Sequence, residues 1–367
     1  MTRGNGLFEH PDFDDHEQVL YVNDAAHGLR AIIAIHSTLL GPALGGTRRL
    51  RYVDSATALS DVLRLSRGMT YKAAVAGLDI GGGKAVILGD GRPATTQQWE
   101  AYGDAIERLG GRFVTGEDVG TTEADIDIVR SRTRHAGGAS ASYGGYGDPS
   151  DTTAHGLLHA MLAVCQHRFG SSKPLQSGLD GRHVVIVGVG KVGRALAVRL
   201  EAAGAKLTIA DTSSDAVAAT LRALKGGADV AETASAHHTP CDIFAPCALG
   251  GALDEQTVDQ LQCDAIVGAA NNQLRSVAIA SRIAQRGIDW APDFVVNAGG
   301  LIHVFAEQSG RSHAWIDEHV SNIERTTLEI LQTAQQQHIT PLAAAEARAN
   351  ARLRSPGEPH QRAPGTA

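Results

Sequence analysis

Residues 183–211 read HVVIVGVGKVGRALAVRLEAAGAKLTIAD, and few backbone arrangements accommodate that order. An apolar, β-branched run leads into Gly188-x-Gly190-x-x-Gly193. Helix-forming sequence follows to about residue 203, and a second apolar run ends at Asp211. Strand, glycine turn, helix and second strand make one βαβ unit, and a parallel sheet with helical cover follows from it. Gly188 allows the tight turn, Gly190 lets backbone approach a pyrophosphate, and Gly193 lets helix and strand pack closely. The free N–H groups and dipole of the helix beginning at Lys191 and Val192 favour an anion there. Asp211 stands about 20 residues on, where an acid bonds both ribose hydroxyls. Its charge opposes a 2′-phosphate and points to NAD as the cofactor, although the hydroxyls of Thr212, Ser213 and Ser214 tolerate a phosphate better than apolar residues would.

Three later segments, CDIFAPCALG, AIVGAANNQ and FVVNAGG, each read as a buried strand ending in small or amide residues. Ligands of open α/β sheets bind outside the carboxyl ends of the strands. Cys247 and Ala248, Ala270 and Asn271 with Asn272, and Asn297 to Gly300 are therefore candidates to line one crevice.

The chain has 367 residues, which suits two domains. The first half alternates strand-like segments (29–36, 84–88, 112–115) with helix-like ones (55–67, 97–109), again an α/β pattern. The Gly/Ser-rich stretch AGGASASYGGYGD at residues 136–148 reads as a hinge or loop. The boundaries expected are 1–148 for a substrate-binding, catalytic and oligomerisation domain and 149–324 for the dinucleotide domain. Helical sequence at 315–336, and at about 325–354, is expected to close back on the first domain. SPGEPHQRAPGTA, with three prolines, reads as a disordered tail over 355–367.

A formal net charge of −7 gives no basic footprint for nucleic acid. The run Arg48-Arg49-Leu50-Arg51 reads as solvated or ion-paired surface. Four cysteines without CxxC spacing fit buried free thiols in a reducing compartment. No apolar run approaches a membrane span, so a cytoplasmic protein without a membrane partner is expected.

The stretch GLDIGGGKAVILGD at residues 77–90 invites two readings. A Walker A loop needs GxxxxGK[ST], and Leu78 and Ala85 break that pattern twice. The second reading is a reactive lysine on a small-residue loop. Lys72 lies twelve residues upstream of Lys84. Like charge and desolvation both oppose protonation, so a lysine in such company can act as a general base near neutral pH. Asp118, in TGEDVGTTEAD, can exchange protons with a substrate nitrogen, while strand alternation points Glu117 to the other face. On spacing alone, surface charge is the commoner fate of each lysine.

GPALGGTRRL, LRLSRGMTYKAAVAGLDIGGGKAVILGD, TGEDVGTTEADIDIV, IFAPCALGG, GAANNQL and APDFVVNAGGLI together resemble the leucine/phenylalanine/valine dehydrogenases, of the amino-acid dehydrogenase superfamily that also holds the glutamate enzymes. The match runs in order from about residue 17 to about 304. It implies a two-domain enzyme with a cleft between the domains, which oxidatively deaminates an L-amino acid with NAD to a 2-oxo acid, ammonia and NADH. By resemblance Lys72 binds the substrate carboxylate, Lys84 activates water for attack on the imine, and Asp118 shuttles protons at the amino group. Thr153 and Asn297 lie near nicotinamide and substrate, and the backbone at Gly45 and Gly46 faces the substrate. The side-chain pocket would comprise Leu44, Met69, Gly116, Leu301 and Val304. Leu44 stands where glutamate enzymes carry a lysine, which implies an apolar substrate. Gly116 with Leu301 looks more like phenylalanine enzymes than leucine ones, so phenylalanine or another bulky apolar amino acid leads, with leucine and valine behind.

The resemblance also implies a homo-oligomer, dimer or octamer, assembled through the first domain. His155 and His303 depart from the family pattern. His155 and His159 share the i,i+4 spacing of metal ligands, but without a third ligand evident in sequence no metal is expected. Two other readings keep the fold: a biosynthetic enzyme passing imine or oxo acid to a partner, and a non-catalytic NAD-binding module. The presence of Lys72, Lys84 and Asp118 together speaks against the last.

Overall fold

A computed structural model describes residues 6–170, 178–248 and 250–355. The tail expected to be disordered lies, from residue 356 on, outside the described residues. The chain forms two compact units. The first holds the described residues up to Asp148, together with Val304–Arg311 and those from Ala349 on. The second is Pro149–His303 with Ser312–Arg348.

The first unit is built on a mixed sheet. β1 (Gln18–Asp24) pairs antiparallel with β2 (Leu29–Ser37), and β2 antiparallel with β5 (Gly81–Leu88). β3 (Ala43–Leu44) and β4 (Thr47–Leu50) both run parallel to β5, and β6 (Phe113–Val114) runs parallel to β3. β2 is almost continuously buried because both faces of the sheet are covered. Alternation along it sends Ile32 and Ala34 to one core with Ala58, Val62 and Leu63 of α1 (Ser55–Val75). It sends Leu29, Ala31, Ile33 and Ile35 to the other core. There Trp99, Tyr102 and Ile106 of α2 (Thr96–Glu107) and Ile126 and Val129 of α3 (Glu123–Arg130) complete the packing. Each helix starts on a side-chain cap: Asp54 accepts from Thr57 N–H, Thr95 from Gln98 N–H, and Thr122 and Asp125 form a capping box.

The glycine run at residues 81–83 is not the loop expected from sequence. It lies inside β5, three residues before the expected strand start. The reason is proximity. A Cβ on Gly82 would come within 2.0 Å of Thr70 N on α1, one on Gly81 within 2.0 Å of the Ser37 carbonyl, and one on Gly83 within 2.7 Å of the Phe113 ring. The glycines are strand residues with neighbours where side chains would be.

The second unit carries a six-stranded, all-parallel sheet. β7 (His183–Val187), β8 (Lys206–Ala210), β9 (Asp229–Val230), β10 (Cys241–Pro246), β11 (Cys263–Ile266) and β12 (Asp289–Trp290) are arranged in the order β9-β8-β7-β10-β11-β12. This is the doubly wound Rossmann order, whose direction reverses between β7 and β10. α4 (Ser150–Phe169) and α5 (Lys191–Ala202) pack together, and α6 (Ser214–Ala223), α7 (Glu255–Gln260) and α8 (Ala278–Gln285) supply further cover. FVVNAGG is not a strand. Asp293–Val296 is a short helix, α9, and α10 (Gly299–Gln308) follows it. Pro292 stops β12 and opens the helix, and a short buried apolar run has no periodicity that separates the two outcomes.

α11 (His313–Gln337) packs on α4 within the second unit, with Glu324 2.8 Å from His159. The expectation that residues 315–336 close onto the first unit is therefore corrected. That return is made by the end of α12 (Pro341–Arg354). There Asn350 accepts from the Tyr71 hydroxyl at 3.1 Å, and Arg352 reaches Asp79 at 2.7 Å. The Gly/Ser-rich stretch before residue 149 is held, not free. Glu307 accepts from the backbone N–H groups of Gly138 and Tyr146 at 3.1–3.2 Å. Among the described residues no helix is long and apolar enough to cross a membrane.

The crowding at β5 sets a pair of opposed outcomes. Gly82→Ala should destabilise the protein by about 1–3 kcal/mol or more through overpacking. Gly68→Ala, on α1 with nothing within 4 Å of the added Cβ, should stabilise it by about 0.5–1 kcal/mol. Chemical denaturation of the two variants checks both signs.

Candidate active site

β5 delivers Lys84 to the sheet face that carries Gly82 and Val86, the face covered by α1. Its ammonium lies 2.8 Å from Asp118 Oδ2, which follows β6. The same oxygen accepts from Arg48 Nε at 3.2 Å. The three side chains are 8%, 12% and 15% exposed for Lys84, Asp118 and Arg48. Burial alone would raise the Asp118 carboxyl, but Lys84 and Arg48 outweigh it and bring it down to about 2. The Asp118 backbone is fixed as well, its N–H donating to the Thr121 hydroxyl at 2.8 Å. The Glu117 backbone bridges Thr47.

The other first-unit candidates surround this pair. Gly45 and Gly46 continue from Leu44 into β4, and neither position has room for a side chain. A Cβ on Gly45 would meet the Gly83 carbonyl at 1.8 Å and Met69 Cγ at 3.4 Å. One on Gly46 would meet the Glu117 carbonyl at 2.2 Å and Asp118 Cβ at 3.1 Å. Met69 and Lys72, one turn apart on α1, are half-buried. Gly116 faces Gly137, whose Cβ position lies 2.6 Å from Val304 Cγ1. The structure thus gathers Gly45, Gly46, Met69, Lys84 and Asp118, and separately joins Gly116 to Val304 through Gly137. Leu44 is buried on β3.

In the second unit the three glycines divide their work. Gly188 has φ +99°, and a Cβ there would strike Ala248 N at 2.6 Å. One on Gly193 would meet the Gly188 carbonyl at 2.0 Å, whereas one on Gly190 meets nothing within 4 Å. Gly190 therefore leaves open space at the start of α5, where Gly190 as N-cap offers no side-chain hydrogen bond to the first turn and Lys191 and Val192 present their N–H groups. These features fit a dinucleotide pyrophosphate. Asp211 follows β8 directly, and its carboxylate accepts from Val189 and Ser213 N–H at 2.8 Å, which fixes it beside the glycine turn with lone pairs to spare. Thr212 follows it, exposed.

Cys247 and Ala248 leave β10 beside Gly188, and burial pushes the Cys247 thiol up to about 12, so it is no nucleophile. Ala270 N–H donates to the Pro246 carbonyl at 3.0 Å. Asn297 caps α9 and donates through Nδ2 to Asn271 Oδ1 at 2.9 Å and to the Ala269 carbonyl at 3.0 Å. Its own Oδ1 is buried without a hydrogen-bond partner among the described residues, an acceptor held ready for a donor. Thr153 and Gly300 lie side by side, with 3.0 Å between Thr153 Oγ1 and a Cβ position on Gly300, and Leu301 is buried on α10.

His303 contacts the Thr152 hydroxyl at 2.9 Å. His155 and His159 meet at 3.2 Å between their Nε2 atoms. Among the described residues no group of three His, Cys, Asp or Glu is disposed to hold a metal. Sequence reasoning missed the partners of Lys84 and Asp118 beyond each other: Arg48 had been read as surface. Tyr52 and Asp61, which stand behind it, were not singled out. Their only sequence signal was the charge of the Arg48 run.

Residues 16–135 match the model of the Glu/Leu/Phe/Val dehydrogenase dimerisation domain, and residues 212–355 that of the Glutamate/Leucine/Phenylalanine/Valine dehydrogenases. Residues 153–237 match the NAD binding domain of the D-isomer specific 2-hydroxyacid dehydrogenases. The leucine dehydrogenase of Geobacillus stearothermophilus is 42% identical over 95% of this chain and 93% of its own length. The valine dehydrogenase of Streptomyces coelicolor is 45% identical over 94% of each chain. Among solved structures, the L-tryptophan dehydrogenase of Nostoc punctiforme superposes with a TM-score of 0.78 at 39% identity, covering 93% of this chain and 96% of that one. The chain belongs to the Glu/Leu/Phe/Val dehydrogenase family and is an NAD-dependent amino-acid dehydrogenase.

Proposed function

We propose that the protein oxidatively deaminates a bulky apolar L-amino acid, phenylalanine ahead of leucine and valine, through Lys84 and Asp118. The observation that carries this reading is the buried contact between Lys84 and Asp118, next to glycine backbone too crowded for side chains. Bound at the Gly188 turn, NAD supplies the hydride acceptor. Lys72 holds the substrate carboxylate. Asp118 takes a proton from the substrate ammonium, which frees the nitrogen lone pair to assist departure of hydride from Cα. Lys84 then takes a proton from the water that adds to the imine carbon, Asp118 returns a proton to the departing nitrogen, and the carbinolamine hydroxyl loses its proton to solvent as the C–N bond breaks. The products are ammonium, the 2-oxo acid, the reduced cofactor and one proton, with one water consumed.

Asn297 Oδ1, the unpartnered buried acceptor, suits a donor on the nicotinamide amide or the substrate ammonium. The carboxylate of Asp211 favours ribose hydroxyls over a 2′-phosphate. Thr153, Thr212, Cys247, Ala248, Ala270 and Asn271 complete the cofactor's surroundings in this reading. Within the first unit, Leu44, Met69, Gly116 and Val304 are the side-chain pocket residues of this reading.

For the substrate, Leu44 offers no cation to a second carboxylate. By resemblance, Gly116 with Leu301 is more like phenylalanine enzymes than leucine ones, and a relative at 39% identity is a tryptophan dehydrogenase. One methylene changes the preference by only about 1–3 kcal/mol, so several apolar substrates should turn over. NADH formation across a panel of L-amino acids decides this. Phenylalanine should lead, and glutamate as the fastest substrate would overturn the apolar pocket.

Lys84→Ala should lower kcat by about 10²–10⁴-fold with NAD binding intact, measured by turnover and by calorimetric titration. An unimpaired variant would remove Lys84 from the chemistry. Self-association belongs to the same reading, because β1 ends its sheet with no further strand paired to it among the described residues. Light scattering should return a mass that is a multiple of the 38.4 kDa chain.

A further inference from the structure

Arg48 belongs to a basic run that sequence alone consigns to the surface, yet it lies in the buried cluster behind Lys84. β4 runs parallel to β5 with Arg48 in register with Val86, and alternation parts Arg48 from Arg49. Arg49 turns instead to the Arg92 carbonyl at 2.7 Å. The Arg48 guanidinium spans two carboxylates. Its Nε reaches Asp118 Oδ2 at 3.2 Å, and its Nη1 reaches both oxygens of Asp61 on α1 at 3.1 and 3.2 Å. Asp61 in turn accepts from the Tyr52 hydroxyl at 2.7 Å. Asp61 and Asp118 hold the guanidinium charged against its burial.

We propose that Arg48 is the positioning residue for proton transfer at this site, fixing Asp118 through Nε while Asp61 and Tyr52 anchor it from the opposite side. The proposal rests on the reading in which Lys84 and Asp118 move the protons. Under that reading Lys84 gives up and regains a proton in each turnover, so its hold on Asp118 changes during the cycle. An arginine does not deprotonate in proteins. Arg48 therefore gives Asp118 a constant countercharge and a constant direction while its other partner changes state. The fork matters as much as the charge: a single ammonium nitrogen cannot contact Asp118 and both oxygens of Asp61 with the same geometry. Arg48 reaches neither substrate nor cofactor in this reading; its one contact with the proton-transfer pair is its bond to Asp118 Oδ2, and it acts through that carboxylate.

The test uses the full chain with NAD and the fastest amino acid of the panel. Arg48→Gln, Arg48→Lys, Asp61→Asn and Lys84→Ala are compared by kcat, KM, NAD affinity, melting temperature and the solvent deuterium isotope effect on kcat. Arg48→Gln should lose about tenfold or more in kcat, with NAD affinity unchanged and a larger solvent isotope effect, because proton transfer becomes slower than hydride transfer. Arg48→Lys should recover part of kcat. Asp61→Asn, which keeps an oxygen for both Tyr52 and Arg48, should shift kcat and the isotope effect in the same direction by less. The proposal falls if Arg48→Gln stays within about threefold of the parent kcat, or loses rate with the isotope effect unchanged. Should Arg48→Gln not fold, Asp61→Asn decides on the same two readouts. A fully active Lys84→Ala would sink the underlying site reading. An inactive Lys84→Ala beside an intact Arg48→Gln would sink only the role of Arg48.

Discussion

The first unit depends on how closely α1 lies against the bare backbone of β5. At Gly82 the separation leaves no space for a single carbon, with Thr70 N only 2.0 Å from a Cβ position. Gly81 and Gly83 are pressed in the same way by Ser37 and Phe113, and Gly45 and Gly46 by their neighbours on β5 and the Glu117 segment. A lysine placed immediately after such a run stands on a stiff strand bonded on both sides, not on a loop. Sites on regular elements hold their geometry better than sites on loops. Here the stiffness comes from omission: five positions without side chains let backbones meet where packing would otherwise keep them apart.

The candidate sites of the two units are built by different physics. In the first, the candidate site is a set of formal charges that are buried and mutually compensated, Lys84 and Arg48 against Asp118 and Asp61. Such a cluster is costly to bury and strongly destabilised if one member is lost, because a remaining partner is stranded in a poorly solvated place. In the second, the work falls to backbone N–H groups at a helix start, an open position at Gly190 and one carboxylate. Those groups are neutral apart from Asp211, and their orientation is set by the strand–turn–helix path itself. The first site is demanding of side-chain identity, the second of backbone shape.

This difference also governs what could be read in the sequence. The dinucleotide turn was legible because its requirements are local: glycines at fixed offsets, a strand before and an acid after. Lys84 and Asp118 were singled out, but their contact joins β5 to the segment after β6, and spacing alone left surface charge open. Arg48, Asp61 and Tyr52 stayed hidden for the same reason, since only the strand pairing of β4 with β5 and the packing of α1 unite them. The glycines of β5 were taken for a loop because glycine marks turns more often than crowding. FVVN was taken for a strand because four buried apolar residues carry no period. The final return of the chain lies at the end of the wider expected range, 325–354, and beyond 315–336, because α11 and α12 are both helical and only their packing tells which unit each serves.

That return has a bearing on how the chain comes to be folded. Tyr71 and Asp79 wait for Asn350 and Arg352, more than 270 positions later, and the stretch around Gly138 waits for Glu307. During synthesis the amino-terminal sheet emerges first, while the segments that complete its hydrogen bonding emerge only after every described strand of the second unit. The second unit, whose strands all lie between residues 183 and 290, can close its own sheet in the interval. The unit whose strands are made first is therefore completed after the unit whose strands are made second.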